Sequence, residues 1–265
     1  MTHDTIAHFY ETYPYPHVHY FDAQRAITYA QPLLASANIR MKDLAGKTIL
    51  DAGCGTGEIS ISMATHAQQV DAFDVSENSL TYARTMAKKL RIQNTHFFHA
   101  DVIQFSSAKK YDMVTSFGVL HHTHNPEKGL NTISNCVKKN GIIIIGFYHS
   151  LGGMQQRVEK LIARVLGGDS PEKILAWLSQ TKKRNFGEAE KAYWADRLAN
   201  PREKYYRISL VESWLKKNGF EIIGIQGHKP DWKVKNTHNI LEKWLFEMWI
   251  LLHGKRFVIM AGKKI

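Results

Sequence analysis

Residues 49–60 read ILDAGCGTGEIS: an apolar run closed by Asp51, glycines at alternate positions 53, 55 and 57, then residues suited to a helix. Such a run is a short buried strand, and glycines directly after it make a sharp turn whose backbone carries no side chains. A turn from a first strand into a first helix lets a ligand lie against main-chain N–H groups. Asp51 at its mouth sets a condition on that ligand, because a carboxylate repels an anion held beside it.

Outward from this stretch, apolar runs alternate with helical periodicity from residue 47 to 150. KTILDAG is a strand and EISISMATHA the helix after the glycines; QVDAFDVS, THFFHADV and YDMVTSFGVL are the next three strands. Ser76 caps a helix carrying Leu80, Ala83, Ala87 and Leu90 on one face. Asn125-Pro126 opens another, which buries Leu130, Ile133 and Val137 and ends at Asn140-Gly141. GIIIIGFY is a fifth strand, apolar on both faces as a central parallel strand is. After Tyr148 the rhythm breaks. Residues 151–206 are helical and rich in Lys and Arg. RISLVESWLKKNG then resumes as an amphipathic helix, with FEIIGIQG and KRFVIMAGKK as strands six and seven and a helix in NTHNILEKWLFEMWILLHG between them. The expected fold is α/β and doubly wound: a seven-stranded, mostly parallel sheet covered on both faces. We divide it into an N-terminal arm (1–20), a core (21–150 and 207–265) and a helical cap insertion (151–206).

The 265 residues are 44% hydrophobic, an ordinary globular composition with enough chain for one sizeable core. No uncharged apolar stretch reaches about 18 residues, so no membrane span is expected. MTHDTIAHFY lacks the basic and apolar regions of a secretory signal. Two cysteines, Cys54 and Cys136, make no disulfide framework and no zinc-finger spacing, which suits a cytoplasmic protein. The formal charge of +11 is lopsided: residues 151–265 hold 22 Lys/Arg against 12 Asp/Glu, a net of +10. That excess points to an anionic substrate, a nucleic acid or a membrane surface, against the plainer reading of a solvated lysine face.

Two cofactor classes fit the glycines. A dinucleotide would use Gly55, Gly57 and Ser60, with Asp74 on its ribose. Asp51 argues against its pyrophosphate. S-adenosylmethionine has no phosphate but a sulfonium and an ammonium, which Asp51 favours. Asp74 and Asp101 end the next two strands, where a ribose and an adenine amino group want acceptors.

ILDAGCGTG, FDVS, HADV, YDMVTSFGVLHH and KKNGIIIIGFY, in this order over residues 47–148, resemble the motifs of class I S-adenosylmethionine-dependent methyltransferases. The ending over 207–263 is also similar to that family. The resemblance implies a Rossmann-like sheet of order 3-2-1-4-5-7-6 and S-adenosyl-L-methionine as cofactor. It implies that Asp51, Gly53, Gly55 and Gly57 lie beside the methionine part and that Asp74 with Val75 holds the ribose. Asp101 with Val102 would hold the adenine, with Phe117 alongside. The family's usual Pro-Gly-Gly before strand five is here Asn140-Gly141-Ile142, a departure that touches only a turn.

The arm HFYETYPYPH has two readings: packing on the sheet edge, or a lid in which Tyr10, Tyr13 and Tyr15 close over the sulfonium as cation–π partners. A similar Tyr-Pro-Tyr-Pro arm occurs in the family. His121 and His122 follow strand four; we assign the candidate base to His121, against a loop-shaping role. His149, Tyr205 and Tyr206 are further rim residues. The histidines of PHVHY lack an accompanying carboxylate pattern, so no metal is expected. Neither a Pro-Cys dipeptide nor an Asn/Asp-Pro-Pro-Tyr/Phe motif is present, which disfavours DNA as substrate. A basic excess beside Trp244, Leu245, Met248, Trp249 and Leu252 favours a small-molecule or lipid-like acceptor, with peripheral membrane contact. RNA or protein methylation, a nicotinamide-dependent reductase and a non-catalytic adenosylmethionine-binding subunit are the alternatives. Oligomeric state is not legible.

Overall fold

In the computed structural model, which describes residues 4–13, 21–227 and 232–265, eight strands form one sheet. They are β1 (Thr48–Ala52), β2 (Gln69–Asp74), β3 (Thr95–His99), β4 (Tyr111–Phe117), β5 (Val137–Tyr148), β6 (Phe220–Gly227), β7 (Lys233–Val234) and β8 (Phe257–Lys264). The order across the sheet is β3-β2-β1-β4-β5-β8-β6-β7. The first five strands are parallel, and β8 runs antiparallel between β5 and β6. The seven expected strands thus keep their expected order. The correction is an eighth: β7 adds at the edge through two pairs only, Ile225↔Val234 and Gln226↔Lys233. Two residues are too few to carry the alternation that marks a strand in sequence.

Period-two alternation sends successive side chains to opposite faces. Leu50, Ile143, Ile145, Val258 and Met260 join one core, while Ile49, Ile144, Ile259 and Ala261 join the other. Both faces are dry, which explains the unbroken apolar run of GIIIIGFY. The helices are α1 (Asp4–Thr12), α2 (Ala23–Ala26), α3 (Gln31–Leu34), α4 (Glu58–Ala64), α5 (Glu77–Lys89) and α6 (Pro126–Ser134); then α7 (Met154–Gly167), α8 (Pro171–Lys182), α9 (Glu188–Trp194), α10 (Ile208–Lys217) and α11 (Ile240–Leu252). Ser76 caps α5 by accepting from the Ser79 N–H, and Asn125 caps α6 through the Lys128 N–H.

Helix α6 ends sooner than expected. Val137 already pairs with Tyr111 in β5, and the Cys136 carbonyl accepts from the Tyr111 N–H at 2.8 Å. Asn140, at φ 62°, and Gly141 mark a register shift inside β5 rather than the end of a helix. A left-handed residue is a good turn signal, but it does not say which element it interrupts.

Helices α7 and α8, Phe186 and the turn at residues 195–199 share an apolar cluster of Ala163, Ile174, Leu178, Phe186, Leu198 and Ala199. Helix α1 lies against this group, with Phe9 beside Leu175 and Ala195. The connection back to the sheet is polar. Buried Glu247 of α11 lies 3.0 Å from His149 Nε2 and accepts from Arg207 Nε at 3.1 Å.

Candidate active site

The carboxyl ends of β1, β2 and β4 open into a cavity of about 940 Å³. Gly53, at φ 80°, donates to the Phe73 carbonyl at 2.7 Å, and a Cβ there would stand 2.2 Å from a Val119 methyl. Gly55, at φ 53°, is the opposite case: a Cβ would meet nothing within 4 Å, so its bare backbone forms cavity wall. Gly57 packs on Ala83 and is not part of that wall. Asp74 holds the turn, its Oδ2 accepting from the Gly55 N–H at 2.8 Å and its Oδ1 from the Ser76 N–H at 3.0 Å.

Asp51 is 2% exposed and accepts from Ser60 Oγ at 2.5 Å and Thr115 Oγ1 at 2.8 Å. Burial pushes its carboxyl up to about 6, despite those two hydroxyls and with nearby Asp74 adding to the rise. Burial also raises Asp74. Asp101 accepts from the Ile103 N–H at 2.9 Å, and Asp101, Val75, Val102 and Phe117 all line the cavity. The structure therefore brings together Asp51, Gly53, Gly55, Asp74, Val75, Asp101, Val102 and Phe117. Glu58 joins them, which sequence reasoning missed; it accepts from Thr56 Oγ1 at 2.6 Å. An acid at the first residue of a helix carries no marker that distinguishes it from a solvated one.

The arm divides. Tyr10 lines the cavity and donates to Asp196 Oδ1 at 2.9 Å, while Asn200 Nδ2 donates to the Tyr10 hydroxyl at 3.0 Å. Tyr13 lies away from the cavity, with its hydroxyl 3.2 Å from Glu172. Tyr15 and the histidines of PHVHY lie outside the described residues.

The two histidines of the turn Leu120–His122 also part company. His121 is fully buried, 3.9 Å between ring centroids from Tyr148, and is not among the cavity residues. Burial drives it well below the usual histidine range. His122 does line the cavity, with Nδ1 2.8 Å from the Arg202 carbonyl. A carbonyl only accepts, so Nδ1 carries the proton and Nε2 is the basic nitrogen. Burial lowers this ring too, which keeps it neutral near pH 7. Around it the wall changes character: Tyr148, Arg202, Trp249, Lys255, Arg256 and Phe257. The Arg256 guanidinium stands 4.3 Å over the Tyr148 ring and 3.6 Å from Glu203. One end of the cavity is thus acidic and the other cationic and aromatic.

Residues 43–194, more than half the chain, match the family model described as methyltransferase domain. The chain belongs to this family, the class I S-adenosylmethionine-dependent methyltransferases. An uncharacterized protein of Synechococcus sp. is 26% identical over 210 residues, covering 70% of this chain and 50% of its own. A ubiquinone biosynthesis O-methyltransferase of Glaesserella parasuis is 31% identical over 118 residues, 42% of this chain and 50% of its own. The chain spans about half the length of these curated relatives. A crystal structure of a magnesium protoporphyrin IX methyltransferase from Synechocystis, with bound SAH, matches with a TM-score of 0.57 at 18% identity, over 92% of this chain and 83% of that one. This likeness speaks for the fold.

The acidic end of the cavity suits a cation. Four carboxylates, from Asp51, Glu58, Asp74 and Asp101, line it against one guanidinium, that of Arg25, and burial already disfavours ionisation of Asp51 and Asp74. A dinucleotide pyrophosphate would add negative charge there, whereas a sulfonium and an ammonium would relieve it.

Proposed function

We propose that this methyltransferase acts on a small organic or lipid-like acceptor carrying an anionic group, held at the cationic and aromatic end of the cavity. The charge polarity of the cavity supports this reading. S-adenosylmethionine, when bound, supplies an electrophilic methyl group on sulfur. Asp51 faces its cationic part, the Gly53–Gly55 backbone its methionine part, Asp74 its ribose, and Asp101 with Val102 its adenine. Phe117 flanks it. Tyr10 closes the arm over the cavity, and residues 151–206 cap it through Asp196, Asn200 and Arg202.

His122 replaces His121 as the base. Its Nδ1–H is committed to the Arg202 carbonyl, so Nε2 takes the proton from an acceptor hydroxyl or ring as the new bond to carbon forms. Arg202, Lys255 and Arg256 would orient the acceptor's anionic group, and Trp249 and Tyr148 its apolar body. Much of the acceleration comes from holding acceptor and donor in line, which needs no further catalytic group. His122→Gln should lower kcat by about 10²–10⁴ while cofactor affinity stays as in wild type. The acceptor class is tested by transferring radiolabelled methyl into whole-cell extract and fractionating the product. Label in low-molecular-weight or organic-extractable material is expected. Label lost on ribonuclease treatment, or retained with protein, would overturn the proposal.

A further inference from the structure

Helix α7 is built the wrong way round for a surface helix. It turns Gln156, Lys160 and Ala163 inward, while Met154, Val158, Leu161, Ile162, Val165 and Leu166 are 47% to 73% exposed. Helix α11 does the same with Ile240, Leu241, Trp244, Leu245 and Leu252, burying Phe246, Glu247 and Ile250 on its other side. These two helices hold eleven of the fifteen large apolar side chains exposed among the described residues. Burial of these stripes must be supplied from outside the fold.

The charges around the stripes say what covers them. Arg157 and Arg164, seven residues apart and exposed, run along one flank of the α7 stripe; Arg157 also donates to the Ser150 carbonyl at 2.7 Å. The acids of both helices are tied down. Glu159 accepts from Arg197 at 2.6 Å; Glu242 accepts from the Lys235 and Asn236 N–H groups at 2.5 and 2.9 Å; Glu247 is buried. Residues 151–265 carry a net +10. The start of α7 and the end of α11 come together through the residues that flank them: a Cβ on Gly152 would clash with Ile250 and the Lys255 carbonyl, and one on Gly254 would stand 3.2 Å from Gln155 Oε1. Trp249, Gly254 and Lys255 at this corner are also cavity wall. We infer that α7 and α11 dock the protein on a bilayer surface containing anionic lipid, with the cationic end of the cavity beside the membrane. Apolar side chains enter the interface, arginines meet the headgroups, and Trp244 suits the boundary between them.

Vesicle binding is read without turnover, so this inference stands apart from the proposed reaction. Wild-type protein should co-sediment with phosphatidylcholine vesicles containing phosphatidylserine, and far less with phosphatidylcholine alone. Leu161→Glu with Val165→Glu, and separately Leu241→Glu with Leu245→Glu, should each weaken binding by roughly ten-fold or more. Arg164→Glu should weaken it only on the anionic vesicles. All three variants should bind S-adenosylhomocysteine as wild type does, because none of these side chains lines the cavity. Absence of wild-type co-sedimentation, or equal binding by the double variants, overturns the inference. So does light scattering that shows a dimer which the variants split, since a second copy of the chain would then cover the face.

Discussion

The two ends of the cavity are built by different means. At the glycine end, the polar groups are held by bonds among the glycine turn, the helix after it and the adjacent strands: Asp74 by Gly55 and Ser76, Asp51 by Ser60 and Thr115. Backbone shape and fixed carboxylates do the selecting. At the other end Tyr10, His122, Tyr148, Arg202, Trp249 and Arg256 arrive from six separate segments and are fixed mainly by packing and by bonds between segments. The lesson is that the first end is a property of one turn and the neighbouring parallel strands, and the second is a property of the whole assembled fold. Substitutions should therefore cost most at the first end and least where one tie among many is cut.

The largest effect is expected at Gly53. Its left-handed φ costs a side-chain residue about 1–2 kcal/mol, and a Cβ 2.2 Å from Val119 adds roughly 1–3 kcal/mol of overpacking. Gly53→Ala should lower the urea midpoint accordingly; an unchanged midpoint would mean that the turn tolerates what its geometry forbids. Next comes Asp74→Ala, which removes two hydrogen bonds from a carboxylate. Affinity for S-adenosylhomocysteine should fall by about 1.5–3 kcal/mol, measured by calorimetry.

The third test is pH. In the folded protein Asp51 titrates at about 6 against a usual 3.8, so the fold binds a proton that the unfolded chain has already released. This contribution is fully present below about 4 and is lost as pH rises through about 6, costing about 3 kcal/mol at neutrality. A cation beside Asp51 offsets that cost. Affinity for S-adenosylmethionine should therefore rise as pH increases towards 6, by up to about ten-fold per unit, and level off above it. In Asp51→Asn the slope should vanish; a slope that persists would move the effect to another group. The smallest change is expected for Tyr10→Phe, which cuts the tie from α1 to Asp196 and Asn200. A loss of about 0.5–1.5 kcal/mol should appear as faster amide exchange in α1, with the exchange of β1 and β4 unaltered.

The same contrast explains how much could be read from the chain. The sheet was legible because each strand from KTILDAG to GIIIIGFY carries its own apolar pattern, and because the acids stand at strand ends in sequence order. Asp51, Asp74 and Asp101 are cavity residues for that reason. The turn at Leu120–His122 has no such period. Adjacent rings there go to different places, and only packing decided that His122 rather than His121 meets the cavity. Strand β7 was too short to leave a pattern, and Val137 looked helical because one apolar residue fits either period. Arg202, Lys255 and Arg256 were visible only as part of an overall positive charge.

The placement of β8 has a consequence for the order in which these ends come into being. The last strand of the chain sits inside the sheet, between β5 and β6. During synthesis, β1 to β5 can pair as soon as residue 148 is out of the ribosome, and the turn of Gly53 and Gly55 forms with them. Strand β6 must then wait for β8, since its only other neighbour is β7. Lys255 and Arg256 stand directly before β8, and Phe257 opens it. A nascent chain therefore completes the glycine end while the cationic end does not yet exist.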